Sequence, residues 1–141
     1  MGCTAVTLAA FVLVDTQAGG SSLAYDLNGL APNQEHALYI EFFDTAGAQV
    51  AGSFDLSLPP DDDYKTCAHC LLAFEDVNGA KPTAYYPESG SLVVTSPDVS
   101  YSGASAGSLD GIKLVEVALS GTSATPVPGG KCLMLSGTWS H

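Results

Sequence analysis

Along the chain, short apolar runs alternate with polar residues or fill both faces of an extended segment, and Gly, Pro, Asn and Asp punctuate the gaps between them. That is the signature of strands joined by turns. Residues Thr4 to Val14 (TAVTLAAFVLV) open it with a largely apolar, partly β-branched run closed by Asp15 and a Gly/Ser turn reaching Ser22. The run predicts a long, mostly buried strand. Leu23 to Leu27 alternates and stops at Asn28-Gly29, which predicts a short edge strand. Ala37 to Asp44 (ALYIEFFD) and Gln49 to Leu58 (QVAGSFDLSL) flank Thr45-Ala-Gly-Ala and predict a hairpin.

Pro59-Pro-Asp-Asp-Asp-Tyr64 follows, where two prolines oppose ladder pairing and three carboxylates favour solvent, so residues 59 to 66 predict an exposed acidic loop. Strands are expected at Leu71 to Asp76, Thr83 to Pro87, Ser91 to Ser96 and, briefly, Val99 to Ser102, each bounded by Gly, Pro or Asn-Gly. Gly103 to Ser108 is a small-residue stretch that reads as a loop. Ile112 to Leu119 (IKLVEVAL) is the clearest strand, because Lys113 and Glu116 have opposite parity and leave each face mostly apolar. Gly121 to Gly130 reads as a loop, and Lys131 to Trp139 as the last strand. About eight to ten strands at intervals of roughly 10 to 15 residues, with no helix-period segment, predict one all-β domain, an antiparallel β-sandwich of jelly-roll or Ig-like type. No fixed-period repeat points to a propeller or solenoid.

The chain has 141 residues, enough for one domain with a real core, and its 15 glycines and 8 prolines suit many turns. Only four lysines and no arginine oppose 15 acidic residues, for a formal charge of −11. Nucleic acid and anionic membranes are therefore poor partners, since both are recognised by basic patches. No apolar stretch approaches the roughly 18 residues of a spanning helix. Met1-Gly-Cys-Thr lacks a basic n-region and reads as the lead into a strand rather than as a signal peptide, so an exported precursor would already have lost its signal. Gly2-Cys3 also matches the cut site of a bacterial lipoprotein, acylated at the cysteine.

Four cysteines allow three pairings. Cys67 and Cys70 are close enough to pair locally, which leaves Cys3 and Cys132 to join the first strand to the last. A disulfide-stabilised domain is the expectation, and with it an oxidising compartment. The Cys67-Ala-His-Cys70 spacing also fits a thiol-disulfide enzyme, but such a pair needs a helix N-terminus or a nearby cation to lower a thiol pKa, and Asp61, Asp62 and Asp63 act the other way. Zinc held by Cys67, His69 and Cys70 lacks a second close pair. Haem attachment fails because Leu71 stands where the histidine belongs. Gly103-Ala-Ser105-Ala-Gly107, with Asp110 and His141, copies a nucleophile elbow and its triad order, yet no strand-turn-helix context surrounds it.

Asp61, Asp62 and Asp63 are candidate oxygen ligands for calcium, with His69 a further candidate metal ligand, although the spacing lacks the alternation, glycine and distal glutamate of an EF-hand loop. Tyr64, Tyr85 and Tyr86 are candidate ligand-facing aromatics. Adjacent Tyr85 and Tyr86 point to opposite sides of an extended segment, which predicts that one is exposed. The long apolar run at Thr4 to Val14 invites edge pairing with a second chain.

Four blocks carry a resemblance: Tyr64-x-Thr66-Cys67-x-x-Cys70-Leu-Leu-Ala-Phe-Glu-Asp76, Tyr86-x-x-Ser89-Gly-Ser-Leu92, Gly107-x-Leu109-x-Gly111-Ile-x-Leu114-x-Glu116-Val117 and Thr125-Pro-Val-Pro-Gly-Gly-x-Cys132-Leu. Through them the C-terminal half resembles small exported β-rich proteins and lipoproteins of myxobacteria and related bacteria. The resemblance implies an exported β domain with oxidised cysteines, and no catalytic residue transfers with it. The leading expectation is a non-enzymatic, secreted or cell-surface structural or binding module, self-associating or binding a protein partner. A carbohydrate- or calcium-binding lectin-like module is the alternative, and a Cys-x-x-Cys oxidoreductase the second.

Overall fold

A computed structural model describes residues 2–17, 20–43, 50–97, 105–121 and 123–140. They contain nine strands and no helix: β1 (Thr4–Gln17), β2 (Gly20–Asn28), β3 (Ala37–Phe42), β4 (Gly52–Asp55), β5 (His69–Glu75), β6 (Thr83–Pro97), β7 (Ser105–Ser120), β8 (Ser123–Pro126) and β9 (Cys132–Ser140). The all-β expectation holds, but the sandwich does not. One sheet runs β6-β5-β3-β2-β1-β9-β7 and closes by the pairing of β7 with β6, giving a seven-stranded barrel. Every pairing is antiparallel except β1 with β9, which is parallel from Thr4↔Leu133 to Thr7↔Ser136. Strand β4 pairs Gly52–Asp55 with β6 beyond the end of β5, and β8 extends the β9 side of β7 in the same way.

Alternation looks identical in a sandwich and a barrel, because both bury one face; what differs is how far the strands coil. Two long strands, β6 and β7, supply the coil. Their register slips around Gly90 and between Leu109 and Ile112, and Gly90, at φ 117°, lies so close to Ile112 that a Cβ there would fall 2.5 Å from the Ile112 Cα. Such bulges bend strands and shift side-chain parity. Accordingly Tyr85 and Leu109 face inward before the slips, whereas Leu92, Val94, Ile112 and Leu114 face inward after them. Leu23, Tyr25, Leu38, Ile40, Leu71, Leu133 and Leu135 complete the interior, each side chain of this kind contributing about 1.5–3 kcal/mol on burial.

The connections correct several expectations. The second strand is not an edge, since β2 lies between β1 and β3. The expected hairpin over residues 37 to 58 is absent: β3 pairs with β2 and β5, and β4 with β6. Thr83 to Ser96 is one strand with a bulge at Gly90 instead of two, and Ser105 begins β7 although small residues there read as a loop. The expected loop of residues 121 to 130 includes β8. The expected strand at Val99 to Ser102, the turn at Thr45 to Ala48, Gly103, Tyr101 and His141 lie outside the described residues.

Both disulfides are formed as the spacing suggested, Cys3–Cys132 and Cys67–Cys70. The first joins β1 to β9 at the start of their parallel seam. With its sulfur in that bond, Cys3 has no thiol to carry a lipid thioether.

Candidate functional site

The chain between β4 and β5 lies against the outer wall of the barrel and forms one side of a groove. Its path is fixed locally: Leu56 drops into the core and donates its N–H to the Gly90 carbonyl at 2.9 Å, and the Asp61 and Asp62 N–H groups both bond Leu58 O at 3.1 Å. The acidic run therefore splits. Asp61 turns inward and is only 4% exposed, while Asp62 and Asp63 stay in solvent. Residues 59 to 66 were expected to be uniformly exposed; Asp61 departs because the inside offers it three donors. Its carboxylate accepts the Ala68 N–H at 2.8 Å, the His69 N–H at 2.9 Å and the His69 Nδ1–H at 3.1 Å. Burial on its own would lift the Asp61 carboxyl, but the His69 ring and these backbone donors outweigh it and hold the group below the usual carboxylate range. His69 in turn stacks on Phe54, with ring centroids 4.0 Å apart.

Under this loop the Cys67–Cys70 bond packs with Leu72, Ala84, Tyr86 and Val117 in a second apolar cluster on the outside of the wall. The two cysteines are 5% and 0% exposed. Thiol-disulfide exchange needs a thiolate to reach one of those sulfurs, and the packing stands in its way. The four candidate metal ligands do not converge: Asp61 and His69 bond each other, Asp62 and Asp63 face solvent, and among the described residues no three His, Cys, Asp or Glu groups cluster to hold a metal ion. Calcium at Asp61 would have to displace its three donors.

The tyrosines separate as well. Tyr85 is 0% exposed, points into the barrel and donates to Glu75 Oε1 at 2.7 Å. Tyr86 points outward as alternation requires, yet it is only 5% exposed because residues 61 to 67 cover it. The expectation of one exposed ring is thus overturned by the loop. Tyr86 donates its hydroxyl to Asp61 O at 3.0 Å and meets Tyr64 in a tilted ring pair 5.6 Å apart. Glu41 on β3 is half-buried, and burial lifts its carboxyl. Both phenols are pushed up, first by burial and then by the neighbouring carboxylates, so they remain neutral donors.

The groove itself holds about 640 Å³ between the 62–65 loop, the outer face of β6 and β7, and β8 with its following turn. Tyr86 and Val115 are register partners on its floor, beside Val117, Ala124 and the edge of Tyr64. Three of the chain's four lysines, Lys65, Lys113 and Lys131, line it with Asp62, Asp63, Glu88 and Glu116. Lys113 pairs with Glu88 at 2.8 Å, and Glu116 Oε1 accepts the Lys131 N–H at 2.9 Å, which ties the turn after β8 to β7. Of the candidate residues, the groove gathers Asp62, Asp63, Tyr64, Tyr86 and Cys132, and Tyr85 lies outside it. Sequence reading misses the three lysines as a group. The signal was there in part: Lys113, Val115 and Val117 share one parity in IKLVEVAL, but which face turns outward depends on the Gly111 bulge. A comparison with known protein families, curated proteins and solved structures finds no match for the chain.

Proposed function

We propose that the protein is a non-enzymatic, exported binding module whose ligand is taken up in the groove over β6 and β7. The observation that carries this reading is the concentration of three of four lysines and two tyrosines around one concavity of about 640 Å³. In a chain of formal charge −11, cations spread by chance would not gather there, and the volume lies within the range of small-molecule sites. Two disulfides support an address outside the reducing cytoplasm. The resemblance of the C-terminal blocks to exported bacterial proteins supports secretion or the cell surface. The groove reading is tested by an amide chemical-shift screen of ligands against the folded protein. Saturable movement of Tyr86, Val115 and Lys131, lost in Ala124→Trp, is the expected result, and ligands that bind elsewhere in both proteins would falsify it.

A second reading, self-association, is favoured by β1. Beyond Thr7 the strand leaves β9, and among the described residues β2 is then its sole strand partner, while Val12 and Leu13 are 51% and 45% exposed. No charged residue occurs from Thr4 to Val14, so two antiparallel copies would bring no like charges opposite each other. Light scattering after size exclusion should give a dimer that Val12→Lys converts to a monomer; a wild-type monomer at all concentrations removes this reading.

A further inference from the structure

We propose that residues 57 to 67 form a strap closed by one clasp, Asp61, and that opening the strap exposes the Cys67–Cys70 bond to an external dithiol while the barrel stays folded. The strap hangs between two residues rooted in the barrel interior, Leu56 and Ala68. Most of its hydrogen bonds are local: the Asp61 and Asp62 N–H groups bond Leu58 O, the Thr66 hydroxyl bonds Pro60 O and the Lys65 N–H bonds the Asp63 carboxylate. Among the described residues, those that reach Ala68, β5 or β6 all end on Asp61. Its carboxylate takes the Ala68 and His69 N–H groups and the His69 Nδ1–H, and its carbonyl takes the Tyr86 hydroxyl.

The apolar contacts of the strap are separate as well. Cys67, Cys70 and Tyr86, with Tyr64 packed against them, belong to a cluster on the outside of the wall, apart from the barrel interior. Lifting the strap therefore leaves the interior intact, which is the condition for a local opening. Closed, it holds Cys67 at 5% and Cys70 at 0% exposure. Open, it lets a thiolate of the dithiol attack Sγ of Cys67, the less buried cysteine; a new S–S bond forms, the Cys67–Cys70 bond breaks and Cys70 leaves as a thiolate. The second thiol of the dithiol then displaces Cys67, so the reagent ends as a cyclic disulfide and its two protons pass to the cysteines. The barrel survives the loss, because the bond spans a sequence separation of only 3 and constrains the unfolded chain little. Residues 62 to 65 also line the groove, so the same clasp fixes the position of that wall.

The test is reduction of the folded, oxidised protein by dithiothreitol at neutral pH, followed by alkylation and peptide mapping. It is run at urea concentrations below the unfolding transition, which tryptophan emission reports. The initial rate at Cys67–Cys70 is expected to be nearly independent of urea, as befits an opening that exposes little surface. Asp61→Asn should raise that rate about tenfold or more with wild-type tryptophan emission, because bonds to a charged acceptor are lost. Tyr86→Phe, which keeps the ring and removes one bond of the clasp, should raise it about threefold, and Asp62→Asn should leave it unchanged. Tyr86→Phe carries the comparison alone if Asp61→Asn does not fold. A rate that climbs with urea as steeply as unfolding does, or no reduction below the transition, means that the bond is reached only from the unfolded chain and overturns the strap. Wild-type rates in both Asp61→Asn and Tyr86→Phe, or an equal rise in Asp62→Asn, overturn the clasp.

Discussion

Asp61 shows how one residue can reverse the meaning of a stretch. Three consecutive aspartates look like a solvated loop, yet the first anchors that loop by collecting two backbone N–H groups and the His69 ring while the next two stay outside. Asp61→Ala leaves those donors buried and unpaired, at about 1–3 kcal/mol for each group. A loss of roughly 3 kcal/mol in urea unfolding is the expected result, with Asp62→Ala near zero as control. The pH dependence has a definite sign. Because the folded-state Asp61 carboxyl is held below its unfolded value, its contribution is complete above the ordinary carboxylate range and is lost as pH falls through and below it. Wild-type stability should therefore drop more steeply below about pH 4 than that of Asp61→Asn. Parallel curves for the two proteins would remove Asp61 from the anchoring role.

At the scale of elements, the tempting Gly-x-Ser-x-Gly pattern finds a structural use. Ser105 Oγ, 1% exposed, accepts the Trp139 Nε1–H at 3.0 Å, and Gly107 lies directly across from Trp139 between β7 and β9. A Cβ at Gly107 would fall 2.2 Å from Val93 O and 2.3 Å from the Trp139 ring, so β7 can pass between β6 and β9 only with glycine there. Gly107→Ala is expected to cost about 2–4 kcal/mol and to red-shift the emission of the single tryptophan as its ring is pushed toward solvent. Unchanged emission and stability would show that the strands adjust freely. The same region shows what could be read in the sequence. Strand existence was legible wherever β-branched residues were bounded by Gly or Pro, as in IKLVEVAL. Closure was not, because Gly90 and Gly111 look like turn residues and act as bulges inside long strands. Nor was the groove legible, since its floor depends on a loop and three strands that meet only after the barrel has closed.

For the whole molecule the parallel seam between β1 and β9 is a weak point. The β6–β7 ladder runs from Ala84↔Val117 to Pro97↔Ser105, whereas β1 and β9 share register only from Thr4↔Leu133 to Thr7↔Ser136, and in the parallel sense, which is slightly less stable per residue. Without that contact the barrel is an open sheet with two apolar edges. The Cys3–Cys132 bond stands at the start of the seam and closes a loop with a sequence separation of 129, against 3 for Cys67–Cys70. On the chain-entropy account these separations correspond to about 5 and about 2 kcal/mol. Cys3→Ser/Cys132→Ser should accordingly lose more stability than Cys67→Ser/Cys70→Ser. The damage should also be placed differently. In the first variant hydrogen exchange accelerates at Val6 and Leu135 while β6–β7 amides stay protected, because the sheet opens at its parallel ladder before it unfolds. In the second, exchange accelerates at Ala68 and His69, where the loop meets Asp61. Equal losses in the two variants, or seam amides as slow as those of β6–β7 without the bond, would mean that packing of the interior alone keeps the barrel shut.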